Sequence, residues 1–102
     1  MTDNKIIHTL IEEELAEANK RHPLFQSLHE AYAVMLEELE ETEEEAKQIR
    51  LLLDEMWQRI RQDCGAEELL KKMQVHAMYM VQEGIQVGAM CEKALASLYK
   101  NK

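Results

Sequence analysis

Seven of the nine residues from Glu37 to Glu45 are glutamate. Carboxylates at this density either solvate a helix surface or, where several lean into a low-dielectric seam, repel one another and require a counter-charge. A divalent cation such as Mg²⁺ supplies one, through oxygen ligands and retained waters. Spacing decides which glutamates qualify. Each helical residue advances about 100°, so with Glu38 at zero Glu45 stands at about −20°, Glu41 at about −60° and Glu37 at about −100°. Thr42, Ile49 and Met56 fall within about 40° of Glu38, which puts Glu38 among apolar positions. Glu40, Glu43 and Glu44 point away. Further along the chain, Glu83 borders a second apolar seam close in angle to His76 and Val87, with Gln86 on its outer shoulder.

Three helices must position these groups. The spacing predicts a first helix from about Lys5 to Asn19, with N-cap candidates at Thr2 to Asn4 and an apolar stripe through Ile6, Ile7, Leu10, Ile11 and Leu15. Pro23 closes the Lys20-Arg21-His22 segment by excluding the residue before it from helical conformation. Ser27 and Glu30 form a capping-box signature that opens a second helix, Leu28 to Gln62. Along it Leu28, Tyr32, Met35, Leu39, Thr42, Ala46, Ile49, Leu53, Met56 and Ile60 alternate steps of four and three, a heptad seam. Asp63-Cys64-Gly65 is the stop, with Gly65 suited to the left-handed position after the helix. A third helix runs from about Ala66 to Lys100, its seam marked by Leu69, Met73, His76, Met80, Val87, Cys91, Ala94 and Leu98. Gly84 and Gly88 each cost about 1 kcal/mol inside a helix, so close approach of another helix backbone is expected there. If the hairpin turns at residues 63–66, Glu83 lies level with Ala46, and Glu38, Glu41, Glu45 and Glu83 share one zone. In the other reading these side chains reach solvent or meet Lys and Arg.

The expected fold is all-α: a long antiparallel helical hairpin plus a short N-terminal helix, one domain over residues 1–102. A monomer of this shape leaves much of its seam wet, so assembly into a four-helix-bundle-like homodimer or higher oligomer is expected. The formal net charge of −8 argues against nucleic acid, whose binders need a basic face. No run approaches the roughly 20 apolar residues of a membrane span, and no signal peptide is evident. Cys64 and Cys91 form no CxxC pair, and two unpaired thiols suit a reducing, cytoplasmic setting. His76 reads as a core histidine bonded to a carboxylate; Tyr32 and Trp57 read as core aromatics; Lys20, Arg21, Lys47, Arg50 and Lys93 read as surface cations.

Two segments, HEAYAVMLEELEE (29–41) and EGIQVGAMCEKAL (83–95), resemble the MazG-like branch of the all-α nucleoside triphosphate pyrophosphatases. That family carries E-E-x-x-E on one helix and E-x-x-D on the next. Glu37, Glu38 and Glu41 match the first motif in full. Glu83 matches the start of the second, whose last position here is Gln86. The resemblance implies Mg²⁺ held by Glu38, Glu41 and Glu83 with support from Gln86, and a water assisted by Glu37 or Glu38. It also implies hydrolysis of a nucleoside triphosphate to a monophosphate and pyrophosphate. The departures are the neutral Gln86 and a longer spacing between Glu41 and Glu83. Against this stands a non-catalytic helical oligomer with a vestigial acidic site, acting in interaction or structure.

Overall fold

The computed structural model describes residues 4–21 and 24–100, and the side chain of Lys100 is excepted. They form three helices, α1 (Asn4–Asn19), α2 (Leu28–Arg61) and α3 (Glu67–Lys100), with no strand among the described residues. The chain is all-α as expected, and each described helix boundary lies within one residue of the sequence reading. The expected stop at His22-Pro23 and the cap candidates Thr2 and Asp3 lie outside the described residues. No helix is long and apolar enough to cross a membrane.

α2 starts where Ser27, in extended conformation, accepts the Glu30 backbone N–H at 3.2 Å. It ends in a Schellman turn. The Cys64 N–H donates to the Arg59 carbonyl (2.8 Å) and the Asp63 N–H to that of Ile60 (3.1 Å). Asp63, at φ 55°, takes the left-handed position. This corrects the expectation for Gly65, which has no positive φ; aspartate tolerates that conformation better than most residues. Arg59 closes the apex, bonding Glu68 at 2.8 Å and Glu55 at 3.4 Å.

α2 and α3 pack lengthwise, and α1 lies against α3 alone. The body measures 62 × 28 × 20 Å, and its 17.8 Å radius of gyration exceeds the about 13 Å of a compact domain this long. The best-packed region is the end shared by all three elements. There Phe25, Ala31, Ala89 and Met90 are buried beneath Ile11, Leu15, Val34 and Met35. The buried Ser97 hydroxyl accepts the Phe25 N–H at 2.8 Å, and the Lys93 ammonium sits 4.8 Å above the Phe25 ring. Gly88 fits this region: a Cβ there would meet Ile11 Cδ1 at 2.8 Å. The close approach is made by a side chain rather than by the helix backbone expected. Gly84 meets nothing within 4 Å.

The covered face of α2 differs from the predicted seam. Ala31, Met35, Glu38, Thr42, Glu45, Ile49, Leu52, Met56 and Arg59 are buried or half-buried in four-three steps. Met35, Thr42, Ile49 and Met56 belong to the predicted stripe, whereas Leu28, Tyr32, Leu39, Leu53 and Ile60 from that stripe are exposed. On α3 the covered set follows the prediction through Leu69, Met73, His76 and Met80, then runs through Glu83, Val87, Met90, Ala94 and Ser97. Cys91 is half-buried and Leu98 exposed.

Candidate metal centre

Glu38 enters the site because α2 places it within the α3-facing seam, and Glu41 follows one turn later on the same flank. Glu83 occupies the matching position on α3. One carboxylate oxygen from each of the three lies within 4.8 Å of the others. Glu38 and Glu83 are half-buried and Glu41 is exposed. With its amide nitrogen toward the cluster, Gln86 donates to Glu83 at 3.1 Å and also to Glu38. The predicted neutral supporter is therefore at the site, but as a donor; offering its oxygen to a cation requires a half-turn of the amide.

The carboxylates hold protons more tightly than ordinary ones. Burial raises Glu38 above the usual range, and the charges of Glu41, Glu37 and Glu14 add to the effect. Burial likewise raises Glu83, beside Glu38 and Glu45. Glu41, despite its exposure, is raised by its hydrogen bond to Glu83 and by that group's charge. Neighbouring basic groups do not relieve this repulsion: the ion pairs of the described residues go to Glu12, Glu17, Glu45, Glu55, Glu67 and Glu68. Three carboxylates, joined by the Gln86 oxygen once its amide turns, would form an all-oxygen donor set, which suits a hard ion such as Mg²⁺ rather than zinc.

Glu45 leaves the zone expected for it. His76 Nδ1 lies 2.6 Å from Glu45 Oε2, its ring N–H donating, which is the histidine–carboxylate contact predicted for His76. The register explains the separation. Glu83 faces Glu38 and Glu41 rather than the level of Ala46, a slide of about one and a half to two turns. Glu37 is exposed and outside the triad, though its charge reaches Glu38. Glu14, which no motif marks, is half-buried between Ile11 and Leu15 on the packed stripe of α1, and that place was the available signal. With Glu13, Glu17 and Gln86 it borders an open groove of about 390 Å³ between α1 and α3.

The remaining candidates lie elsewhere. Lys20 pairs with Glu17 at 3.0 Å, and Lys93 is buried over Phe25. Lys47 and Arg50 are exposed on a part of α2 turned away from the triad. Tyr32 and Trp57, read as core, are 68% and 57% exposed; the stripe that carries them is uncovered. No family model matches the chain, nor does any curated protein or solved structure, so the family resemblance rests on Glu37, Glu38, Glu41, Glu83 and the segments around them.

Proposed function

We propose that this chain is a Mg²⁺-dependent nucleotide pyrophosphohydrolase-like protein that converts a nucleoside triphosphate to a monophosphate and pyrophosphate. The observation carrying the proposal is the convergence of Glu38, Glu41 and Glu83 without a basic partner among the described residues. Glu38, Glu41 and Glu83 hold the cation, and Gln86 joins them when its amide turns. A Mg²⁺ ion held there would supply neutralisation of phosphate charge and activation of a water at the phosphoanhydride. Glu37, exposed beside Glu38, would accept a proton from the attacking water, with Glu38 the alternative if it leaves the cation. The free thiols Cys64 and Cys91 fit a cytoplasmic setting, and the exposed stripe of α2 fits a four-helix-bundle-like oligomer.

The test is pyrophosphate release across the nucleoside triphosphates with and without Mg²⁺, on the parent chain and on Glu38→Gln. Mg²⁺-dependent release lost in the variant is expected. Equal release from both chains contradicts the assignment. A second reading, a non-catalytic helical oligomer, is favoured by Gln86, which removes one negative charge where the resembling family has aspartate; absence of release with every nucleotide selects it.

A further inference from the structure

α2 carries a second heptad seam that none of the described residues covers. Tyr32, Leu39, Ala46, Leu53 and Ile60 hold one position of the repeat; Leu36, Glu43, Arg50 and Trp57 hold the other. All nine are exposed, the large apolar ones from 39% at Leu36 to 68% at Tyr32. This seam stands about 100° around α2 from the one that meets α3, as two neighbours of a single helix do in a four-helix bundle. Glu41 leans the opposite way, so covering the second seam leaves the carboxylate triad accessible. Along one stretch Ala46, Arg50 and Leu53 line an open groove of about 690 Å³; along another, Tyr32, Leu36 and Leu39 line one of about 610 Å³.

We infer that this seam is the contact surface for a second copy of the chain, packed antiparallel about a two-fold axis over Ala46. The sequence around Ala46 complements its own reversal. Antiparallel pairing centred there sets Leu39 on the second copy's Leu53 and Tyr32 on its Ile60, and brings Leu36 within one residue's rise, about 1.5 Å, of its Trp57. Ala46 meets Ala46 at the axis, where a small side chain lets backbones approach. The only charged seam positions, Glu43 and Arg50, then come within one residue of level, inside ion-pair reach, and symmetry makes that pair twice. Other registers lose this match. A slide by one heptad opposes Glu43 to Glu43 or Arg50 to Arg50, and parallel in-register pairing opposes both. Neither residue forms an ion pair among the described residues.

The size fits as well. A face about 50 Å long and two helices of about 10 Å wide offers roughly 1,000 Å² per copy, above the about 800 Å² per partner of a stable interface. α3 adds Leu70, Ala77 and Gly84 on its uncovered side, and this gives Gly84 a role that its own chain does not supply.

This inference needs neither cation nor nucleotide, so it stands or falls apart from the hydrolase reading. Its test is sedimentation equilibrium of the full chain, with emission of Trp57, the only tryptophan, followed on dilution. A dimer whose emission shifts red as it dissociates is expected. Arg50→Glu should weaken the dimer at least about tenfold by opposing like charges, and Glu43→Arg added to it should restore association. Orientation is read by mixing Leu39→Cys and Leu53→Cys chains that also carry Cys64→Ser and Cys91→Ser. The mixed disulfide should form on oxidation. A monomer at all concentrations, a dimer indifferent to Arg50→Glu, or Leu39→Cys chains cross-linking to themselves overturns the inference.

Discussion

α2 places a carboxylate in the α3-facing seam twice, at Glu38 and, two turns later, at Glu45, and α3 answers them differently. Opposite Glu45 stands His76, whose Nδ1–H satisfies one carboxylate oxygen at 2.6 Å. Opposite Glu38 stand another carboxylate, Glu83, and the amide of Gln86, with Glu41 one turn away. Both positions are half-buried, so both need a partner for the charge. At Glu45 the chain provides it. At Glu38 it supplies more negative charge, and burial beside those carboxylates raises the proton affinity of Glu38 and Glu83. A seam carboxylate is by itself a structural device; one surrounded by further carboxylates calls for something from outside.

The largest expected contrast comes from neutralising each region in turn. Glu83→Gln should remove Mg²⁺-dependent hydrolysis by more than the roughly 10–100-fold seen when outer partners of a metal are lost. The same change should make the cation-free chain more stable near neutral pH, because it ends a repulsion. The sign follows from the raised proton affinities of Glu38, Glu41 and Glu83. The folded chain binds more protons than the unfolded one above the ordinary glutamate range, so stability falls as pH rises out of that range through the raised values. Added Mg²⁺ should flatten the fall, and denaturant titrations at several pH values measure it. A parent chain whose stability rises steadily over that interval would erase the distinction between the regions.

His76→Ala acts on the other side of the comparison. It leaves Glu45 half-buried without its donor and should cost about 1–2 kcal/mol in urea unfolding, with hydrolysis per folded chain changed little. A large loss of activity at unaltered stability would instead assign His76 to the site.

Gln86→Asp has a smaller expected effect and sharpens the comparison from within. Replacing the donor amide with a carboxylate should tighten Mg²⁺ by about tenfold and lower stability when Mg²⁺ is absent, since the donated hydrogen bonds to Glu38 and Glu83 disappear. Thermal melts with and without Mg²⁺ should therefore diverge more than those of the parent. Smallest is Asp63→Gly, which relieves the left-handed residue at the apex and should add about 0.5 kcal/mol. Because it lies outside both regions, the gain should be the same with or without Mg²⁺.

Helix limits, the inward lean of Glu38 and the flanking place of Glu41 were legible because caps, proline and the 100° step are local properties. Axial register was not. A heptad pattern looks the same after a slide of seven residues, and the turn at 62–66 fixes the offset through Asp63 rather than Gly65. Two turns of slide brought Glu83 to Glu38 and Glu41 and left Glu45 to His76. The predicted stripe on α2 merged two seams about a quarter-turn apart. Apolar residues on both cannot announce which one faces the same chain, and so Tyr32 and Trp57 were misread as core. Glu14 was obscured for a related reason, since the packing of α1 on α3 is a tertiary choice.

The most direct test of the triad is calorimetric titration of Mg²⁺ into the chain just above the usual carboxylate range, in two buffers of different ionisation enthalpy. One saturable site per chain with net release of protons, lost in both Glu38→Gln and Glu83→Gln, is the expected result. Absence of saturable binding, or binding unaffected by both substitutions, would contradict a cation site between α2 and α3.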